Sequence, residues 1–257
     1  METVIITVAG ISSRFNEGIS QDDKCLKAIY HEKDKASTLL YHLLEKCMYA
    51  DKIVLVGGYR FKELKTYCEG LPIFMQDKLV LVYNEHYRDF ASGYSLYLGL
   101  KEIFDKFDAA ERILIVEGDL DIDKVSFGKV AAAVSNVLTY SHEPIYARKA
   151  VALYRNEEEH FKYAFNSNHG LLRIDESFSL FLNSGQIWKF TDMEKLKTAN
   201  ENFYKMEKDG TNLRIIQNYI DLCDQESFEL IGFLRWNNCN TREDYRKILS
   251  FWEEDEK

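Results

Sequence analysis

Apolar and polar positions alternate in two different styles along this chain. In the first half, continuous apolar runs are separated by segments with helical periodicity. Val4–Ala9, Ile53–Val56, Leu79–Tyr83 and Arg112–Val116 read as strands; Thr38–Cys47, Phe61–Cys68 and Tyr94–Phe104 read as helices. Ser37 stands where the first helix needs an N-cap, and Gly70 and Pro72 stop the second. Strands apolar on both faces, separated by helices, predict βαβ units and a mostly parallel sheet covered on both sides.

The second half is more broken. Val151–Tyr154, Tyr163–Phe165, Leu171–Ile174 and Phe178–Leu182 are short strand-like runs, predicting an antiparallel lid or insertion beside the main sheet. Helices are expected over Met193–Tyr204 and Leu213–Leu222, a strand over Phe228–Leu234, and a last helix from Arg242 to Glu253. Thr241 and Asp244 stand in the positions of a capping box for that helix. No Ser/Gly-rich linker interrupts the 257 residues, so one α/β domain is expected, a doubly wound, Rossmann-like sheet with a β-rich insertion. Ligands in such sheets bind beyond the carboxyl ends of the strands.

Charge and cysteine usage narrow the partners. A net charge of -9 argues against sequence-independent nucleic-acid binding, which needs clustered cations. Five scattered cysteines without a C-x-x-C pair fit neither a disulfide framework nor a zinc site and suggest a reducing compartment. The apolar start is too short for a membrane span, so the cytoplasm is the expected location.

Candidate chemistry sits at the strand ends. Thr7-Val8-Ala9-Gly10-Ile11-Ser12-Ser13-Arg14 runs from a strand into small residues, where backbone N–H groups approach a base or phosphates and Arg14 can grip phosphate oxygens in bidentate fashion. The spacing is neither a Walker A loop nor a Rossmann fingerprint. Val116-Glu117-Gly118-Asp119-Leu120-Asp121-Ile122-Asp123 ends a strand in Gly-Asp and sets a carboxylate where a hard cation can bridge protein and phosphate. Asp121 and Asp123 share that chemistry. Ala91-Ser92-Gly93-Tyr94 opens a helix on small residues, suited to an anionic or carbonyl ligand, although Ser92 also fits a simple cap.

Residues 7–14 followed by Lys24-Cys25-Leu26-Lys27-Ala28-Ile29 resemble the L-A-A-G-x-G-x-R…P-K-x-L-x-x-I signature of nucleotidyltransferases. The resemblance is nearest to bacterial CTP:phosphocholine cytidylyltransferases. Ser12 replaces the second glycine and Asp23 the proline; serine fits if its φ is negative and is strained if φ is positive. The resemblance implies that Arg14 holds the triphosphate and that Lys24 stabilises charge on the α-phosphate, with Lys27 as second candidate. It implies nucleotide contacts from Val8, Ala9, Gly10, Ser12, Ser13, Asn84, Ser92 and Gly93, and Mg²⁺ held by Asp119. Val56-Gly57-Gly58-Tyr59 resembles the family's V-x-G-Y element. Trp236-Asn237-Asn238-Cys239-Asn240-Thr241 resembles its closing W-x-E-I-D-T, which puts Asn240 at the second metal position and Asn238 where an acid stands.

The implied activity joins CMP from CTP, the favoured nucleoside triphosphate, to a small phosphorylated acceptor. Residues 1–125 form the nucleotide half, 126–235 the acceptor region and 236–257 the closing motif. For the acceptor, Tyr140, Glu143, Tyr146, Asn183, Gln186, Trp188, Trp236 and Asn238 are candidates, since aromatics beside a carboxylate can cage an amine. Aromatics are 14% of the chain, and most must serve as core. His169 reads as a turn residue, and Cys239 as a buried structural thiol. A sugar-1-phosphate nucleotidyltransferase and a non-catalytic nucleotide-binding protein of the same fold are the alternatives. A homodimer is compatible with the sequence and not required by it.

Overall fold

The computed structural model describes residues 1–147, 151–165 and 171–255. Its first half comprises β1 (Glu2–Val8), α1 (Leu39–Cys47), β2 (Lys52–Gly57), α2 (Phe61–Glu69), α3 (Ile73–Gln76), β3 (Leu79–Tyr83), α4 (Ser92–Lys106) and β4 (Arg112–Glu117). Then follow β5 (Leu120–Ile122), α5 (Lys124–Ala132), β6 (Asn136–Ser141), β7 (Val151–Asn156), β8 (Phe161–Phe165) and β9 (Phe178–Phe190). The chain closes with α6 (Met193–Met206), α7 (Asn212–Leu222), β10 (Phe228–Phe233), β11 (Trp236–Asn238) and α8 (Arg242–Asp255).

The large sheet has the order β10-β6-β9-β4-β1-β2-β3, with β7 added to β9 and β8 to β7. β1 pairs in parallel with β2 and β4, β2 with β3, and β10 with β6. Both faces are covered, which is why the strands are apolar throughout: Val4, Ile6 and Val8 face one core, Ile5 the other. In β4, Leu114 and Val116 face the first core, Ile113 and Ile115 the second. A strand flanked by helices on both sides has no solvated face to make polar. β1 ends opposite the ends of β2 and β4, with Val8 beside Gly57 and Thr7 beside Glu117. The loops that leave these strands therefore gather at one edge.

The antiparallel part is not a lid beside the sheet. β9 runs through its middle, antiparallel to both β4 and β6, and its N-terminal half extends outward to carry β7. Leu171–Ile174 forms no strand. The sequence reading missed β6 because only Val137 and Leu138 of its buried positions are apolar, while Asn136, Thr139 and Ser141 are polar. Thr139 Oγ1 donates to the Ile187 carbonyl at 2.6 Å, and Asn136 Oδ1 accepts from the Tyr219 hydroxyl at 2.8 Å. Buried polar groups satisfied in this way belong to a core strand while reading as coil.

Two further details differ from expectation or match it. Thr38, not Ser37, caps α1, its Oγ1 accepting from Tyr41 N at 3.0 Å. The capping box of α8 is reciprocal: Thr241 N donates to Asp244 Oδ2 at 2.8 Å and Asp244 N to Thr241 Oγ1 at 3.1 Å. Among the described residues, no helix is long and apolar enough to cross a membrane.

Candidate active site

The loop after β1 is built around Ser12, whose φ is +54°. A side chain pays roughly 1 kcal/mol for that conformation, and Ser12 is held in it from three directions. Its Oγ accepts from Lys27 N at 3.2 Å, while its carbonyl accepts from both the backbone N and Nδ2 of Asn16, each at 3.0 Å. Ser12→Ala keeps the strain and loses the Oγ contact, so a loss of about 1 kcal/mol is expected. Ser12→Gly loses the same contact but removes the strain, so it should be the more stable variant in urea melts. The reverse order would mean that the loop is not held left-handed in solution.

At the end of β4, Gly118 lets two strands close on each other. A Cβ there would sit 2.3 Å from Val8 Cγ1 and 2.8 Å from the Thr7 carbonyl. The close approach brings the acidic segment beside the signature loop. Asp119 Oδ2 accepts from Lys27 Nζ at 2.7 Å, and Asp119 Oδ1 is buried with no hydrogen-bond partner. Lys27 Nζ also donates to the Cys239 carbonyl at 3.0 Å, and Cys239 N donates to the Asp119 carbonyl at 2.8 Å. One lysine thus ties the loop after β1, the end of β4 and the segment after β11 together.

Glu117 faces the same space, two residues before Asp119. Its Oε1 accepts from Asn212 Nδ2 at 2.8 Å, and Asn212 in turn meets the Ser92 hydroxyl at 3.0 Å. Burial first, then the neighbouring Asp119 charge, push the Glu117 carboxyl up to about 7, against the pull of the Asn212 bond and Lys27. Asn240 donates its Nδ2 to Asn238 Oδ1 at 2.8 Å, which leaves its own Oδ1 without a partner among the described residues.

Two cavities meet here. The first, about 350 Å³, lies under the signature loop; Val8, Ala9, Gly10, Ser12 and Ser13 line it together with Asn84 and Ser92. The second, about 790 Å³, carries Glu143, Tyr146, Asn183, Gln186, Trp236 and Asn238 on its walls. Arg14, Glu117, Asp119 and Asn240 line both, so they stand at the seam. Lys27 lines the first cavity. Lys24 lines neither; it lies in an adjoining basin that shares Arg14 with them.

Several expected contacts are placed elsewhere. Gly93 is absent from the cavity wall: its N–H donates to the Gly210 carbonyl at 3.1 Å, and a Cβ would strike that oxygen and the Phe203 ring. Trp188 is 0% exposed and donates from Nε1 to the Tyr163 hydroxyl at 2.7 Å, a core residue. Tyr140 packs over Gly232 outside the cavity. Asn84 lines the first cavity, yet its amide is spent on Ser95 Oγ and the His86 N–H at 2.9 and 2.8 Å. Asp121 accepts from Trp252 Nε1 at 2.8 Å, and Asp123 caps α5 through Ser126 N at 2.7 Å, so both have structural work. Cys239 is buried, which pushes its thiol up to about 12. His169 lies outside the described residues.

Glu117 and Asn212 were missed. Glu117 left a readable signal, since it is the last residue of the strand that ends in the Gly-Asp motif. Asn212 left none, because its partner Ser92 is 120 positions away in sequence.

The mostly parallel sheet with helices on both faces is the nucleotidyltransferase fold, and solved structures share it. An inositol-1-phosphate CTP transferase from T. maritima superposes with a TM-score of 0.67 at 16% identity, covering 97% of this chain and 95% of that one. A CTP:phosphocholine cytidylyltransferase from Streptococcus pneumoniae gives 0.63 at 15%, covering 98% and 99%. A UDP-glucose pyrophosphorylase complexed with UDP-glucose gives 0.68 at 11%, covering 99% of each. At these identities the likeness is one of fold. By sequence, the chain belongs to the family described as a domain of unknown function, DUF6564, whose model matches residues 23–252. No curated protein matches it.

Proposed function

We propose that the protein is a nucleotidyltransferase that transfers a nucleoside monophosphate, with CTP the favoured donor, to a small phosphorylated alcohol or amine and releases pyrophosphate. The observation that carries this reading is the seam. Arg14, Asp119 and Asn240 border both a cavity under the signature loop and a wider, separately lined one. A group-transfer enzyme needs its reacting phosphorus at such a junction, donor on one side and acceptor on the other. CTP is favoured by the sequence resemblance and by the names of two of the similar structures.

In the proposed reaction an acceptor phosphate oxygen attacks the α-phosphorus in line. A new P–O bond forms, the α–β bridging P–O bond breaks, and its electron pair leaves with pyrophosphate. The acceptor phosphate is already ionised, so no general base is required. Arg14 and Lys27 supply fixed positive charge where negative charge builds on the phosphoryl oxygens. The donor set also fits a magnesium ion, since Asp119 offers a buried oxygen with no other partner and Asn240 a free amide oxygen. Among the described residues no three His, Cys, Asp or Glu gather as ligands, so the protein would supply only part of such an ion's coordination. When bound, that ion supplies Lewis-acid stabilisation of the phosphoryl oxygens.

For the acceptor, the presence of Tyr146, Phe165, Trp236 and Glu143 in the lining of the wider cavity favours a cationic alcohol or amine phosphate. The amides of Asn183, Gln186, Asn237 and Asn238 on the same walls favour a hydroxyl-rich sugar 1-phosphate as the second reading. The test is pyrophosphate release by pure protein with Mg²⁺, each of four NTPs, and panels of phosphorylated amino alcohols, polyols and sugars. Release with CTP and an amino-alcohol phosphate supports the first reading, and release only with sugar 1-phosphates the second. Tight NTP binding without release from any pair would leave a nucleotide-binding protein and end the enzyme reading.

A further inference from the structure

The carboxylate of Glu117 has one oxygen engaged and one open. Oε1 accepts from Asn212 Nδ2 at 2.8 Å, and Oε2 has no hydrogen-bond partner among the described residues. The nearby ammonium of Lys27 is paired with Asp119 instead. Asn212 is only 6% exposed and its amide is fully engaged, for Oδ1 accepts from Ser92 Oγ at 3.0 Å. Its backbone N donates to that same hydroxyl oxygen at 3.2 Å. The segment around Ser92 is fastened to the turn before α7: Ala91 N donates to the Asp209 carbonyl at 3.3 Å and Gly93 N to the Gly210 carbonyl at 3.1 Å. The connection between α6 and α7 therefore reaches the first turn of α4 and fixes the direction of a side chain on β4.

Thr211, beside Asn212, holds a second unclaimed group. It stands at the N-cap of α7, where a threonine hydroxyl commonly accepts from a backbone N–H of the first turn. Here it makes no such bond, and its Oγ1 is buried without any partner. A buried hydroxyl left unpaired destabilises a fold, so it points to a ligand that completes it. Thr211 and Asn212 line the wider cavity and not the first, while Glu117 lines both. An open carboxylate oxygen and an orphan hydroxyl thus share the acceptor side, joined through Asn212. That carboxylate also faces the space where substrate phosphates must assemble, and like charges in a half-buried site repel. A hydrogen-bond donor on the acceptor offsets this repulsion. A hydroxyl or a primary ammonium has such a hydrogen; a trimethylated ammonium has none.

We propose that Glu117 and Thr211 form a subsite that selects the acceptor by an O–H or N–H donor beside its phosphate, with Asn212 positioning the carboxylate. The assignment rests on the nucleotidyltransferase reading and narrows its acceptors to hydroxyl-bearing or primary-amine phosphates.

The test is calorimetric binding of aminoethyl, hydroxyethyl, trimethylammonioethyl and ethyl phosphate. CMP is present to fill the first cavity without permitting transfer, and thermal melts report folding. At least one of the two hydrogen-donating esters should bind about tenfold tighter than the trimethylammonium and ethyl esters. The tighter of the two shows whether an ammonium or a hydroxyl is read. In Glu117→Gln, Thr211→Val and Asn212→Ala the preference should fall to within about threefold, with ethyl phosphate affinity unchanged. Thr211→Val should melt no earlier than wild type, because the hydroxyl it removes has no partner, and Thr211→Ser should keep the preference. A trimethylammonium ester bound by wild type as tightly as the primary amine and the hydroxyethyl ester would overturn the proposal and leave nucleotidyl transfer standing. Selectivity unchanged in folded Glu117→Gln and Thr211→Val would do the same. So would a loss of magnesium affinity in Glu117→Gln with the acceptor preference intact, which would assign the carboxylate to the ion. Esters selected through Glu117 and Thr211, with no pyrophosphate released from any NTP, would uphold the subsite and end the enzyme reading.

Discussion

Lys27→Ala is expected to lower kcat by about 10²–10³-fold, whereas Lys24→Ala should lower it less than about tenfold and act mainly on the KM for nucleotide. The distinction follows from where the two ammonium groups are. Lys27 Nζ is 2.7 Å from Asp119 Oδ2, inside the ring of residues that surrounds the seam, with only a fifth of its side chain exposed. Lys24 lines only the neighbouring basin. A preorganised cation in a half-buried site stabilises developing charge far more than one across a solvated basin, because water there screens it. Removing Lys27 also strips a donor from the Asp119 carboxylate and the Cys239 carbonyl, so the folded variant should melt earlier, by about 1–3 kcal/mol. Single-turnover rates of both variants settle the matter. A crippled Lys24→Ala beside a near-normal Lys27→Ala would restore the sequence-based assignment.

That assignment shows what the sequence could and could not convey. The parallel half was legible because strands buried on both faces must be continuously apolar, and β1, β2, β3 and β4 are. The capping box of α8 was legible because both partners lie within one helical turn. Which lysine borders the seam was not legible, since Lys24-Cys25-Leu26 and Lys27-Ala28-Ile29 each offer a lysine, a small residue and an aliphatic one. What separates them is the bond from Lys27 N to Ser12 Oγ and the bond from Asn16 Nδ2 to the Cys25 carbonyl, contacts across nine to fifteen residues that no local pattern encodes. Trp188 failed for the opposite reason. An aromatic with a polar tip suits a ligand cage and a core equally well, and only β9's place in the middle of the sheet decides between them. In the seam itself, Asp119 and Asn240 were readable from their motifs, but the Ser92–Asn212–Glu117 chain that joins α4, α7 and β4 exists only once the fold has formed.

Asp119→Asn is expected to reduce magnesium-dependent turnover by about 10³-fold without unfolding the protein. The carboxylate's contribution is charge and not shape. Its backbone carbonyl would still accept from Cys239 N, and an amide oxygen would still accept from Lys27. What disappears is one of the two negative side chains that face the seam, in a site where residue 240 is already a neutral asparagine. Glu117, whose pKa is raised by burial first and by the Asp119 charge second, would lose that like charge, which offsets the lost ion pair with Lys27, so the metal-free variant should melt close to wild type. A large loss of turnover with little change in melting is what a carboxylate kept for binding a cation gives. The companion change, Asn240→Asp, adds a negative charge at the same seam and should tighten magnesium binding about tenfold, read as a lower half-saturating metal concentration. Chelation of divalent ions should abolish wild-type turnover and leave its melting temperature within a degree or two of the untreated protein. Turnover by Asp119→Asn within a few-fold of wild type, at saturating magnesium, would remove this residue from the chemistry and with it the arrangement proposed for the seam.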